Sequence, residues 1–468
     1  MLNCLFQIPE IMNPSKDLVL GVDFGTTNSS AAVFDNNQVK LFDVDDKGAN
    51  SKTLKSSIYI NKNHGIFVGD EAIQNYTQDF EGKEIKTDRR LTDEWLDIIQ
   101  GVEGELSRER LVEEYEVDLP GRFIVSPKRV MPNRFFTDTE AFGKIYTAED
   151  LATIILKKIK ERADEQMSYD FKSVNIGRPV TFSDTGSDEL ALQRIEAGAR
   201  AAGFTNITFT YEPVGAAYNF AMKNKEKKLG LVFDFGGGTF DTTVAQFNPD
   251  HTMNVIANGG VYIGGNKFNE NLILSKFMPY FGRDIKWGAQ SFPMPDWIME
   301  NASRWEMSVI MRKKDNIEML ENVRRQSDNP KVVENLIKLI KNNLGLSLFL
   351  LAENSKIALT DLIQDEILPM PWEKFDINLN EQITQSEFKK IMWPDVGRIS
   401  QTIRQVLAKA NVTAEDIQVI VKTGGSSKTF FISEFLGNTF PNAEVFTSDA
   451  YTDVTAGLAI GGANLIKN

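Results

Sequence analysis

Two short hairpin turns carry the residue types best suited to chemistry in this chain. Asp23-Phe24-Gly25-Thr26-Thr27-Asn28 and Asp234-Phe235-Gly236-Gly237-Gly238-Thr239 place aspartate, phenylalanine, glycine and hydroxyl residues in the same order. A tight glycine turn leaves backbone N–H groups pointing outward with no Cβ in the way, and such turns form concave anion sites. Thr26, Thr27 and Thr239 add hydroxyl donors, and the aspartate before each turn can hold Mg2+ or its waters. Two cradles with one carboxylate each suit a Mg2+-bound triphosphate clamped between two lobes. Taken singly, either turn reads better as an ordinary hairpin with a solvated aspartate. The pair, together with a third loop at Gly424-Gly425-Ser426-Ser427-Lys428, is what points to phosphate. Other phosphate motifs fail. The third loop has no glycine directly before Lys428, so it is not a Walker A loop, and no G-x-G-x-x-G follows a strand.

Composition narrows the remaining chemistry. The 468 residues contain one cysteine, Cys4, and two histidines, His64 and His251. That excludes a disulfide framework and the common Cys/His zinc sites, and leaves little for a histidine-based triad. The 52 basic and 65 acidic side chains give a net charge of −13, the wrong sign for nucleic acid but compatible with a local pocket for a small anion. The longest apolar run, Gly345 to Ala352, is far short of the about 18 residues that span a bilayer. Residues 1–14 lack a basic start and read as a loose extension, so the expected location is cytoplasmic.

The elements that must position these loops are legible in outline. Asp17 to Val22 and Ala31 to Phe34 read as strands flanking the first turn, and Leu229 to Phe235 restates the pattern at the second. This internal similarity implies two related lobes. Thr147-Ala148-Glu149-Asp150 is an N-cap signature before Leu151, Ile154, Ile155 and Ile159, spaced for one helical face. A strand ends near Gly177-Arg178-Pro179, and an Ala-rich helix runs from Leu190 to Gly203. Glu212-Pro213 opens the helix Val214 to Met222. Residues 71–122 are strongly charged and read as helix or loop inserted on a lobe surface, residues 270–370 as mostly helical, and Val454 to Leu465 as the last helix.

The loops in this order resemble the actin-like ATPase superfamily, and within it the heat-shock-70 (DnaK-type) chaperones. The resembling motifs are Gly21 to Asn28, Glu212-Pro213-Val214-Gly215-Ala216-Ala217, Phe233 to Asp241, Ile263-Gly264-Gly265, Lys356-Ile357-Ala358-Leu359 and Thr423 to Ser426. Ile176 to Val180, Val454 to Ala459 and the charged insertion look most like the ATPase-only, YegD-type branch. The resemblance implies an α/β, duplicated actin-like (ribonuclease H-like) fold with two lobes around a nucleotide cleft. A first lobe would cover 17–228 with an insertion at about 52–146, a second 229–468 with an insertion at about 270–382, and 1–16 would precede them.

It also implies roles. Asp23 and Asp234 would hold hydrated Mg2+. Gly25, Thr26, Thr27, Asn28, Gly236, Gly237, Gly238 and Thr239 would bind phosphate, with Gly264 and Gly265 beside them. Lys128 would reach the γ-phosphate; alternatively it is a surface lysine beside Arg129. Glu212 and Asp241 would orient the attacking water, although Glu212 could equally cap its helix. Gly424, Gly425, Ser426 and Lys428 would pass under the nucleoside, and Glu353, Lys356 and Thr360, on one helical face, would meet adenine and ribose; the alternative is a solvated Glu–Lys pair. The chain departs from the family at Asn28, at Ile357, where a basic residue often stacks on adenine, at Asn266-Lys267 and at Lys428.

The expected activity is ATP or ADP binding with slow Mg2+-dependent hydrolysis, used as a switch toward an unknown protein partner or co-chaperone, with no nucleic acid or membrane involved. The chain stops at Asn468, before the peptide-binding domain of a full chaperone, so no peptide site is expected in it. A sugar-type small-molecule kinase and a non-catalytic actin-like interaction module are the alternatives.

Overall fold

Val19–Asp23 is a run of apolar residues with one glycine, buried along almost its whole length. Such a strand must be covered on both faces, and it forms the middle of a mixed sheet. In this computed structural model, which describes residues 5–6, 18–48, 50–80, 83, 85–100, 105–182, 186–250, 252–447 and 453–465, the first sheet runs Asn206–Tyr211, Ser173–Arg178, Val19–Asp23, Asn28–Asp35, Gln38–Leu41. The first three strands are parallel, and the last three form an antiparallel meander. The second sheet repeats this plan. Glu444–Thr447, Val419–Thr423 and Lys228–Phe235 are parallel, and Phe240–Phe247 and Met253–Val261 complete the meander. The same five-strand topology occurs twice, so the similarity between the two Asp-Phe-Gly turns reflects a duplicated α/β fold. Leu5–Phe6 adds a short outer strand to the second sheet, pairing with Asn254 and Met253; the region read as loose extension contains at least this paired segment.

The lobes are joined by exchanged helices. Glu212–Lys223 buries Val214, Ala217 and Phe220 in a cluster with Val232, Ala245, Phe247 and Val421 of the second sheet. Asp453–Leu465 packs Ala459, Ile460 and Ala463 against Ala32 and Phe34 of the first. The two helices touch backbone to backbone, since a Cβ on Gly457 would lie 1.6 Å from the Gly215 carbonyl oxygen, and the strand Val19–Asp23 comes close to the second helix, where a Cβ on Gly21 would lie 2.3 Å from Ala459 N. Asn175 Nδ2 donates to the Leu458 carbonyl at 2.8 Å, and the Ser30 and Thr455 hydroxyls share a hydrogen bond of 2.5 Å.

The capped helix forms as expected at Ala148–Met167, with Thr147 and Asp150 making both bonds of a capping box and Leu151, Ile155 and Ile159 buried. Two other expectations need adjustment. Residues 71–122 are not mainly helix and loop. After the helix Asp70–Phe80 they form a long antiparallel hairpin, Lys86–Gln100 with Glu105–Val117. The register sets Arg89 opposite Glu114, Arg90 opposite Glu113 and Asp97 opposite Arg108. Such pairing depends on the partner strand, and no period along either strand alone reveals it. The region 270–370 is helical in large part, with short paired strands at Lys286–Trp287 and Phe292–Pro293 within its Pro- and Trp-rich stretch.

Candidate nucleotide site

The two glycine turns face each other. Asp23 ends its strand opposite Ser30, and Asp234 lies one step from its strand end opposite Asp241. Each turn is too tight for a side chain: a Cβ on Gly25 would sit 2.0 Å from the Asn28 carbonyl oxygen. A Cβ on Gly237 would lie 2.1 Å from Thr27 Oγ1, and one on Gly238 would lie 2.9 Å from Thr26 Oγ1. Only glycine lets the second loop approach the first this closely.

The third loop braces the second. Gly424 has φ +82, and a Cβ there would lie 2.3 Å from the Phe235 carbonyl oxygen. Ser426 Oγ donates to the Gly236 carbonyl at 2.8 Å, as does the Gly265 N–H at 3.0 Å, while the Asn266 N–H donates to the Gly237 carbonyl at 2.9 Å. These carbonyls are therefore satisfied by protein donors and are not bare acceptors beside an incoming anion.

Between the loops lies a cleft of about 400 Å³, large enough for a nucleotide-sized ligand. Almost every residue expected at the site lines it: Asp23, Gly25 to Asn28, Lys128, Glu212, Asp234, Gly236 to Thr239, Gly265, Glu353, Lys356, Thr360, Gly424 to Ser426 and Lys428. Two do not. Asp241 is 2% exposed and accepts the Val180 N–H at 3.0 Å from behind the wall. Gly264 packs under the second loop, where a Cβ would lie 2.3 Å from Gly237.

Lys128 is held by local strain. It lies in the turn Pro127–Val130, entered through Ser126 at φ 50, an unusual value for a residue with a side chain. The Ser126 N–H donates to the Ser56 carbonyl at 2.7 Å and its own carbonyl accepts the Arg129 N–H at 2.8 Å, which keeps the turn in place. Lys128 Nζ donates to Glu212 Oε1 at 2.5 Å, with side chains only 6% and 13% exposed. Each side chain is buried in the cleft against the other, so Lys128 is not a surface lysine.

The Glu353–Lys356 pair is likewise not simply solvated. Lys356 Nζ lies 2.7 Å from Glu353 Oε2 and 3.3 Å from the Gly265 carbonyl, and Glu353 also accepts from Asn269 Nδ2. Burial raises the Glu353 pKa, but Lys356 and Asn269 outweigh it and the net direction is down.

Three carboxylates and one ammonium meet at the cleft floor, with the Asp241 carboxylate buried behind it. The Asp23 pKa is pushed up to about 7, chiefly by burial and then by Glu212, with Lys128 opposing. Asp241 also rises to about 7, through burial and Glu212, against the Val180 N–H and the Thr239 hydroxyl. Asp234 is raised well above the usual range by burial, Glu212, Asp241 and Asp23. This floor carries an excess of negative charge that a hard cation would relieve. Among the described residues, no group of three or more His, Cys, Asp or Glu is arranged to hold a metal ion directly. Asp23 and Asp234 both line the cleft, and their carboxylates are oxygen donors of the kind that could meet such a cation through its waters.

Several lining residues escaped the sequence reading. Phe182 packs near Lys128, with Nζ 5.9 Å from the ring centroid. Arg129, Tyr262 and Thr53 also line the cleft. For Arg129 the signal was adjacency to Lys128; for the others no local pattern exists.

A duplicated meander-plus-parallel sheet, with glycine turns from both halves closing on one cleft, defines the actin-like ATPase fold. A sequence model of the family described as Hsp70 protein matches residues 19–294 and 335–466. The chain belongs to the Hsp70 family and is an Hsp70-like, ATP-binding protein. Among the described residues, no helix is long and apolar enough to cross a membrane.

Proposed function

We propose that the chain binds ATP with Mg2+ in this cleft, hydrolyses it slowly, and uses closure of two lobes, 17–228 and 229–468, as a signal to a protein partner. The observation that carries this reading is the convergence of Asp23, Asp234, Glu212 and Lys128 between two opposed glycine turns. Thr26, Thr27, Thr239 and the glycine amides bind the phosphates. Asp23 and Asp234 would hold Mg2+ through its waters; bound there, it neutralises charge on the phosphate oxygens. Lys128 exchanges Glu212 for the γ-phosphate and stabilises charge developing there. Glu212, once released, orients the attacking water, with Asp241 behind it. Water oxygen bonds to the γ-phosphorus as the bridging oxygen leaves with ADP, and the water proton passes to the carboxylates.

The Lys128–Glu212 pair gives a reason for slow turnover. Separating a buried ion pair costs about 3–5 kcal/mol unless new partners replace it at once. A kinase acting on a hydroxyl acceptor is less well supported, because the loop Gly236-Gly237-Gly238-Thr239-Phe240-Asp241 follows the chaperone pattern. Single-turnover phosphate release tests the reading. Lys128→Ala should slow it by about 100-fold or more, with Glu212→Gln intermediate. Unchanged release in both variants would favour a non-catalytic module, and transfer of the label to an added sugar would favour the kinase.

A further inference from the structure

One wall of the cleft is the last turns of a single helix. Gly345–Asp361 is continuous, and Glu353, Lys356, Ile357, Thr360 and Asp361 all line the cleft. The Lys356 end is tied to the phosphate side, since Lys356 Nζ meets the carbonyl of Gly265, whose own N–H bonds to Gly236. Thr360 and Asp361 lie four and five residues on, about 6–8 Å farther along the helix axis. A nucleotide with its phosphates between the glycine turns and its ribose at Glu353 and Lys356 carries its base to this final turn.

The helix presents acceptors there. Thr360 Oγ1 donates its hydrogen to the Lys356 carbonyl at 3.0 Å, so toward the cleft it offers lone pairs only. Asp361 is exposed, and among the described residues its carboxylate has no hydrogen-bond or ion-pair partner. Gln385 Nε2 donates to the Leu359 carbonyl at 2.7 Å and to the Leu362 carbonyl at 3.1 Å, which fixes the end of the helix that carries both groups. The third loop supplies a donor, because the Lys428 ammonium has three hydrogens and no lone pair and lines the same cleft. Ile357, 50% exposed, adds apolar surface for a flat ring. Neither Ile357 nor Lys428 offers a planar cation for stacking, so hydrogen bonds at the edge of the base carry the selection.

The two purines meet these groups differently. Guanine presents two adjacent donors, N1–H and the 2-amino group, which one carboxylate accepts together, and its O6 accepts from an ammonium. Adenine has an unprotonated N1 in place of the first donor and an amino group where guanine has O6, so the carboxylate meets a lone pair and the ammonium meets a donor. We propose that this end of the cleft takes guanine nucleotides at least as tightly as adenine nucleotides, and that Asp361 is the residue that reads the base. The proposal rests on the nucleotide reading of the cleft and adds the base it selects. The phosphate loops are indifferent to the base, so ATP binds as well, and Asp361 sets the ratio between the two purines. Because the carboxylate is open to water, the preference is on the scale of one charged hydrogen bond and is not a strict exclusion.

The test is calorimetric titration of the full chain, in Mg2+, with GDP, ADP and IDP, the last being the analogue of GDP without the 2-amino group. GDP should bind at least as tightly as ADP, and IDP about threefold more weakly than GDP. Asp361→Ala should weaken GDP by about tenfold, leave ADP within about twofold, and remove the difference between GDP and IDP. Asp361 is exposed at the end of its helix, and a melting midpoint no lower than the parent's checks that the variant is folded. A parent that binds ADP more tightly than GDP would overturn the proposal, as would equal losses of GDP and ADP in Asp361→Ala. A parent that binds none of the three sinks the nucleotide reading with it; a parent that binds ADP but not GDP removes the base assignment alone.

Discussion

Asp23, Asp234 and Asp241 are poorly placed for a protein without ligand. Burial lifts Asp23 and Asp241 to about 7, from an ordinary value near 3.8 in an open chain. Between those two values the folded chain binds more protons than the unfolded chain, so stability falls as pH rises through about 4 to 7 and then levels off. We expect the apparent melting midpoint of the nucleotide-free protein to drop from pH 5 to pH 8 in a thermal scan. Asp234→Asn should raise the midpoint at pH 8 by about 1–3 °C and flatten its pH dependence. A midpoint independent of pH would contradict the crowding of charge at the cleft floor. Lys128→Ala moves the other way. It strands Glu212 in the cleft wall and should cost about 3–5 kcal/mol in denaturant unfolding without nucleotide.

At this scale much of the candidate site could be read in the sequence, because Asp23, Thr26, Asp234 and Thr239, which line the cleft, sit close to glycine in short, repeated strings. The ion pair between Arg129 and Glu306 could not, since its partners are 177 positions apart and nothing local distinguishes Glu306.

Among the elements, the crossing helices make the sharpest demand on sequence. Gly457 has no room for a methyl group against Gly215, and the nearest atoms are backbone. Gly457→Ala must push the helices apart and should destabilise by several kcal/mol. Gly397 lies within the helix Gln385–Ala410, where a methyl group added at its Cα would meet nothing within 4 Å. Gly397→Ala should therefore stabilise by about 0.5–1 kcal/mol, as expected for a helix interior. Opposite signs for these two changes, read from denaturant midpoints, check the packing directly. The capped helix after Thr147 was legible because cap, first turn and apolar stripe are contiguous. The hairpin of Lys86–Gln100 and Glu105–Val117 was not, because strand preference depends on cross-strand partners that neither strand shows alone.

For the whole molecule, duplication explains why two similar turns far apart in sequence meet at one point. Two copies of one sheet, joined by exchanged helices, place each copy's first hairpin at the shared cleft. The repeated Asp-Phe-Gly strings made the duplication visible; the exchange of helices was hidden, since either helix could have packed on its own sheet. Nucleotide binding and the proposed hydrolysis both depend on that meeting of turns. The most direct measurement is a calorimetric titration of the full chain with ATP, with and without Mg2+, repeated on Asp23→Ala. We expect saturable binding to one site, strengthened by Mg2+, with the Mg2+ dependence lost in Asp23→Ala. No binding, or equal binding in all four titrations, would contradict a metal-assisted phosphate grip shared by the two turns.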